Sequence, residues 1–387
     1  MNQRSIKDAR VDRRRAVTSA GTCGWSKRLR LLLLLFLIPV PSVVAADRLA
    51  GAPSQEPISP TPDPRPDTLL VMFWNVENFF HYKSEGQGGS EEEFSSFGSR
   101  HWTRRRYLRK CNAIAKTILA AAVAGSERSE QEAGTERSAG SAVGRLPDAV
   151  GFAEVENRKA LTGLLHETIL RKTDYAIVHF DSPDRRGIDC ALLYRPSTLG
   201  QVRAEAKHLY DSSGAVIPTR DILVAVFDSI AILVNHHPSK VGSAGGAGRS
   251  VAMARMDALC DSLAQVGCRR ILCVGDFNDD VWRNGADPGV VRSGRALPGN
   301  RGTIKYNGEW EKIDGCFYRG PGTAEETVLA FPFLLEEDRA YGGVKPRRTY
   351  SGPRWKGGVS DHLPIVLIVC NPTDSSLRPE WNDKNSK

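Results

Sequence analysis

The stretch "VGFAEVENRKAL", residues 150–161, decides how the chain is read. With Ala149 it forms an apolar run of strand-like length that stops on a carboxylate, Glu154, before "NRKAL" starts a helical pattern. A charged group at the end of a buried strand is costly unless something pairs with it, and a metal ion is one such partner. Glu154 can be a ligand only if other strands deliver further ligands. Glu156 reads differently, as a residue leading into the helix at the positive end of its dipole.

Working outward, buried strands are expected at "LLVMFWN" (69–75), "AVGFAE" (149–154), "CALLYR" (190–195), "ILVAVF" (222–227), "IAILVNH" (230–236), "ILCVGDF" (271–277) and "LPIVLIV" (363–369). Helical spacing links Tyr107, Cys111, Ile114, Ile118 and Leu119, then Leu161, Leu164, Leu165 and Ile169, then Met256, Leu259 and Leu263. Strands interleaved with a few helices imply a mixed α/β layered domain over about residues 68–372. "GSAGGAG" (242–248) matches no phosphate-loop pattern and reads as a mobile turn.

Five strand ends share one property. "FWNVEN" delivers Asn75 and Glu77, "FAEVEN" Glu154, "LVNHHPSK" His236 and His237, "CVGDFND" Asp276 and Asn278, and "GGVSDHLPI" Asp361 and His362. Any one of these could be a cap or a turn residue, but five together point to a site gathered at strand ends. Carboxylate and amide oxygens without thiolates suit a hard cation such as Mg²⁺ or Mn²⁺, and histidine moves protons near neutral pH. Phosphoester hydrolysis needs both, a cation on the non-bridging oxygens and a base for water.

The ordered blocks "FWNVENFF", "GFAEVENRKAL", "RRGIDCALLY", "VNHHPSK", "VGDFND", "KIDGCFY" and "GGVSDHLPI" resemble the endonuclease/exonuclease/phosphatase superfamily over roughly residues 69–370. "RRTYSGPRWKGGVSDH" is similar to its exported bacterial branch. The resemblance implies a DNase I-like four-layer α-β-β-α sandwich with two stacked mixed sheets, and divalent-metal-dependent phosphoester cleavage. Carried over by position, Glu154 would be the main metal ligand with Asn75 beside it, and Asp361 would complete the metal or histidine network. His362 would be the general base, held in its tautomer by Asp314 of "KIDGCF". His236 would contact the scissile phosphate or assist the leaving group, while Asp276 and Asn278 would orient nucleophile and phosphate. Arg186 or its neighbour Arg185 would bind phosphate, and Glu77 would sit in the outer shell or against substrate.

Other residues carry plainer expectations. His237 replaces an aromatic ring in packing, and Lys240 is either a solvated lysine or a phosphate contact. Trp102 and "RRRYLRK" (104–110) read as a basic solvated face rather than a nucleic-acid track. "KPRRTY" (345–350) lies beside the catalytic ending, where substrate contact and plain solvation stand level; Trp310 and Trp355 stack a base or simply pack.

Residues 1–46 have the charged, apolar and small-residue order of a secretory signal, with "LLLLLFLIPVPSVVAA" too short for an ordinary membrane span, so export with cleavage near Ala45 or Ala46 is expected; an uncleaved anchor is the alternative. That segment holds nine of the 53 Lys/Arg and two of the 45 Asp/Glu, leaving 44 against 43, a net charge of +1. The basic pI is therefore mostly the export signal, and the near-zero remaining charge weighs against strong duplex binding. Residues 47–67 read as a Pro-rich tether, 125–144 as a flexible insertion and 373–387 as a polar tail. The cysteines show no zinc spacing and read as small buried hydrophobes. A monomeric nuclease is the leading expectation, with a phosphatase or sphingomyelinase-like hydrolase second and a catalytically silent binding module third.

Overall fold

The computed structural model describes residues 68–83, 90–133, 145–239, 245–279 and 302–370. The expected signal, tether and polar tail lie outside these residues, as does Lys240.

Strands β1 (Thr68–Phe79), β2 (Ala149–Val155), β3 (Ala176–His179) and β4 (Asp189–Tyr194) belong to a six-stranded sheet. Strands β5 (Arg203–Lys207), β6 (Ile222–Phe227), β7 (Ile230–His236), β8 (Arg270–Asp276) and β9 (Asp314–Arg319) form a five-stranded sheet in the order β9-β8-β7-β6-β5. Strands β10 (Thr323–Val328) and β11 (Ile365–Cys370) complete the first sheet, whose order is β10-β11-β1-β2-β4-β3. Each sheet contains a single parallel pair, β1 with β2 and β7 with β8, among antiparallel neighbours. Both sheets are thus mixed, and they stack face to face through β1, β2 and β4 against β7 and β8. The near-continuous apolar sequences of these strands follow from burial on both faces.

Helices α1 (Arg104–Ala133) and α2 (Arg158–His166) cover the outside of the six-stranded sheet, and α3 (Gly245–Gln265) covers the other. The α3 stripe Met256, Leu259 and Leu263 packs with Leu233, Ile271 and Cys273 in a core of its own. The result is the four-layer sandwich. Gly151 sits between the sheets, where a Cβ would approach Phe73, Val234 and Val274 at 3.2–3.3 Å; a larger residue would pry the layers apart.

Three expectations change. The insertion at 125–144 is helical through Ala133, because α1 continues across it, and 134–144 lie outside the described residues. The glycine-rich 242–248 stretch is helical from Gly245 onward as the first turn of α3. Lys110 and Trp102 are not on a solvated face: both are fully buried, and Trp102 Nε1 donates to the Phe80 carbonyl at 2.8 Å. The seven described cysteines are free thiols, five of them buried.

Candidate active site

The two parallel pairs explain why strand ends converge. Parallel strands finish on the same edge of a sheet, so β1 and β2 bring Asn75 and Glu154 together, and β7 and β8 bring His236 opposite Asp276 in register. The antiparallel neighbours start where these strands stop: Asp314 opens β9 opposite Asp276, and His362 lies just before β11, whose Ile365 pairs with Phe73. Strand ends from both sheets therefore meet at one edge of the sandwich.

The backbone leaves ordinary strand geometry there. Glu77, Asn78, Glu154 and Asn278 all have positive φ, between 44° and 65°, the left-handed region that costs non-glycine residues energy. The ladders slip at the same places, between Asn75 and Phe79 on β1 and between Phe152 and Val155 on β2. These bulges aim Glu154 out of the sheet, where Oε2 accepts from the Asn78 N–H at 2.8 Å and Oε1 lies 3.8 Å from Arg186 Nη1. Gly275 beside Asp276 is needed for close approach of β7 and β8, since a Cβ there would lie 2.6 Å from Asn235.

His362 is the hub. Its Nδ1 is 2.8 Å from Asp314 Oδ2, and its Nε2 faces Asp276 Oδ2 at 3.9 Å and Asp361 Oδ1 at 4.0 Å. The His362 N–H donates to Ser360 Oγ at 3.0 Å, and Ser360 Oγ donates to the Asn75 carbonyl at 2.6 Å. Trp74 Nε1 donates to the His362 carbonyl at 2.9 Å. The SDH segment is thereby fixed to the end of β1. Asp276 is held on both oxygens, by Asn75 Nδ2 at 3.0 Å and by the Asn278 N–H at 3.0 Å. Its Oδ2 is also 3.6 Å from His236 Nε2.

Electrostatics separate the two histidines. Burial alone would lower the His362 pKa, but the Asp314 and Asp276 carboxylates outweigh it and hold it well above the ordinary value. His236 is held well below it by burial and by Arg220 and Arg186, so its imidazole is neutral at pH 7. Burial, reinforced by Asp314, pushes the Asp276 carboxyl up to about 7.

A second layer lies under the site. Glu77 accepts from the Thr349 N–H at 2.7 Å and pairs with Arg348 Nε at 3.1 Å, while Arg348 Nη2 reaches Asp361 at 2.9 Å. Lys110 donates to the Glu77 carbonyl and, at 2.8 Å, to Thr349 Oγ1. Burial, reinforced by Asp361, raises the Glu77 carboxyl to about 7, and burial lowers the Lys110 amine to about 8. The side-chain oxygens of Glu77 are thus taken by Arg348 and Thr349. Arg220 ties the His237 carbonyl (2.6 Å) to Asp184 (3.2 Å), linking the loop that carries Arg186 to the NHHPS segment.

The structure brings Asn75, Glu77, Glu154, His236, Asp276, Asn278, Asp314, Asp361 and His362 to one edge, with Arg186 at its rim. His237 packs edge-on against Phe277, ring centroids 5.0 Å apart. Glu156 leads into α2 directly before its N-cap, Asn157, and is buried there, accepting from the His81 N–H at 2.6 Å. Sequence reading gave Ser360 no role, and met Lys110, Arg348 and Thr349 only inside the basic stretches 104–110 and 345–350. Lys110 had a signal: three residues after Tyr107 and four before Ile114, it falls on the apolar stripe of α1.

A layered α/β fold with acid, amide and histidine groups at converging strand ends defines a hydrolase of phosphoesters. The chain belongs to the endonuclease/exonuclease/phosphatase family, whose profile matches residues 70–294, and members of this family are divalent-metal-dependent phosphoester hydrolases. Among solved structures it is similar to truncated TDP2 from Caenorhabditis elegans, at 16% identity over 78% of this chain and 97% of that one, with a TM-score of 0.44. It is also similar to a mannosyl-6-phosphatase from Bacteroides thetaiotaomicron, at 14% identity, 78% and 99% coverage and a TM-score of 0.44. Sphingomyelinase C from Streptomyces griseocarneus shows 15% identity, 78% and 99% coverage and a TM-score of 0.46. A search of curated proteins finds no match.

The donors fit a hard divalent cation. The Glu154 and Asp361 carboxylates, partly open to solvent, and Asn75 Oδ1, which also accepts from the Glu77 N–H at 3.0 Å, are oxygen donors, and Asp276, Asp314 and His362 offer ligand atoms within 4.8 Å of one another at the same edge.

Proposed function

We propose that the protein is an exported endonuclease-type phosphodiesterase in which His362 activates the attacking water. The observation that carries this reading is the buried Asp314–His362 pair at 2.8 Å, with its free Nε2 turned toward Asp276 and Asp361. Asp314 fixes the ring so that Nε2 takes the proton from water. Asp276, locked by Asn75 and Asn278, orients the nucleophile, and the neutral His236 donates to a phosphate oxygen or to the leaving group. Arg186 supplies a guanidinium to the phosphate. Glu154, Asp361 and the Asn75 amide oxygen would hold Mg²⁺ or Mn²⁺, which when bound neutralises charge on the non-bridging oxygens.

A nucleic-acid substrate is favoured by the cations around the site. Arg348 shares a small cavity with Glu77, Arg100 and Tyr350, and Arg106 and Arg109 lie over the Trp355 ring at 4.8 and 5.3 Å. A polyanion bound at the scissile phosphate would have Arg186, Arg106 and Arg109 to neutralise its phosphates. Export rests on residues 1–46.

The test is a panel of plasmid DNA, RNA, sphingomyelin and inositol phosphates with Mg²⁺ or Mn²⁺. Nicking of plasmid that stops in EDTA is expected. Preference for sphingomyelin or an inositol phosphate would replace the nuclease reading, and no turnover on any substrate would favour a silent binding module. Recovery of secreted protein with Met1 intact would overturn cleavage near Ala46.

A further inference from the structure

A cavity of about 600 Å³ opens beside the hydrolytic site, on the side of the β3–β4 loop, with Glu91, Glu156, His179, Asp181 and Asp189 in its wall. We propose that His179, Asp181 and Asp189 form a second divalent-cation site, separate from the one at Glu154, suited to a first-row ion such as Mn²⁺ or Zn²⁺. The inference stands independently of the hydrolytic reading.

The backbone places the three ligands. His179 ends β3 and Asp189 opens β4; His179 pairs with Ala191, so Asp189 sits diagonally across the ladder on the same face. One ligand atom from each of His179, Asp181 and Asp189 can be chosen so that all three lie within 4.8 Å of one another. His179 Nε2 is 3.2 Å from Asp189 Oδ2, yet this nitrogen is buried and has no hydrogen-bond partner. The pair is a buried imidazole–carboxylate contact, and its spacing also matches that of two ligands of one ion. Metal–ligand bonds of about 2.0–2.2 Å at tetrahedral or octahedral angles put neighbouring donor atoms roughly 3–3.5 Å apart.

Two further features point the same way. Asp189 Oδ1 accepts from the Ser182 N–H at 2.8 Å, which orients Oδ2 toward the histidine as a supporting hydrogen bond orients a ligand. On the same cavity wall Glu156 Oε1 is buried without a partner, while its Oε2 is occupied by the His81 N–H. A buried carboxylate oxygen without a hydrogen bond is costly in the wall of a cavity of acids and favourable around a cation. Asp181 Oδ1 lies 3.9 Å from His179 Nδ1 rather than from Nε2, and its side chain, 89% exposed, has to swing round the ring to share an ion with Asp189. One imidazole among carboxylates, without thiolate, selects a borderline ion over Ca²⁺.

The test counts ions on the full chain by equilibrium dialysis with Mn²⁺ read by electron paramagnetic resonance, repeated with Zn²⁺. The wild type should bind two ions, and His179→Gln/Asp181→Asn and Glu154→Gln should each bind one, a different one in each case. Unchanged stoichiometry in His179→Gln/Asp181→Asn, or a wild type with one site that only Glu154→Gln removes, would overturn the proposal. A Glu154→Gln protein that still binds two ions would sink the metal role of Glu154 and leave this site standing. If the double variant fails to fold, Asp181→Ala, at an exposed side chain, should still weaken one site about tenfold, and two unaltered sites would refute the assignment.

Discussion

Asp314 and His362, 48 residues apart in the chain, meet as a buried pair at 2.8 Å, and the carboxylate outweighs the burial that would otherwise keep the imidazole neutral. A base must be deprotonated to act, so activity should rise with pH through the His362 pKa. Asp314→Asn should move that limb to lower pH while lowering the maximal rate by about 10²-fold. A pH–rate profile checks this, and an unmoved limb would remove Asp314 from control of the base. His362→Ala should cost about 10²–10⁴-fold in rate with an unchanged circular-dichroism spectrum.

Glu156 is buried, and burial pushes its carboxyl up to about 7 from 4.5, with Glu91 and Asp189 adding to the effect. A carboxyl raised in the folded state binds more protons there than in the unfolded chain, so its contribution falls as pH rises from about 4.5 to 7. In the metal-free protein Glu156→Gln should therefore stabilise at pH 8 by about 1–3 kcal/mol and leave pH 4.5 nearly unchanged. Urea unfolding at the two pH values measures the difference, and equal effects at both would contradict it.

His237 is held down to about 3 by burial and by Arg220 and Arg249, and neither ring nitrogen has a hydrogen-bond partner. A depressed histidine costs stability as pH falls below its unfolded value, because the unfolded chain takes up the proton first. His237→Phe keeps the edge-on contact with Phe277 and removes both orphan nitrogens. The variant should equal or exceed wild-type stability at pH 7, with an advantage that grows toward pH 5. Thermal melts across that range would show it, and a large loss at pH 7 would mean that the ring nitrogens are needed.

Lys110→Met should destabilise by about 2–4 kcal/mol, since it strands the buried Glu77 carbonyl and removes a bond to Thr349 Oγ1, which keeps its donation to the Val359 carbonyl. It also removes a cation that lowers the Glu77 pKa, so Glu77 should titrate still higher. Denaturant titration reads the first effect; a loss under about 0.5 kcal/mol, typical of surface changes, would return Lys110 to a solvated face.

Much of this molecule was legible in the chain. Apolar runs such as "ILVAVF" and "ILCVGDF" marked β6 and β8, and the polar residues ending them marked the site. Lys110 was misread because a run of basic residues describes what a helix exposes, not which residues its phase turns inward. The burial of Glu156 was not legible because the residue before an N-cap is solvated or buried according to what packs over it, here the chain at His81.

The sequence by itself determined the strand-forming segments, the oxygen-and-histidine chemistry of their ends, and through the ordered blocks the family. Only the tertiary structure decided which ends meet. Glu77 and Arg348 pair across 271 residues, and His236 faces Asp276 because β7 and β8 run parallel and finish on one edge. The aim of Glu154 depends on a backbone turned to φ 65° by a bulge, a conformation that its neighbours impose and its own residue type disfavours. Local sequence sets what a residue can do chemically. Register, strand direction and burial set its partner and its proton affinity.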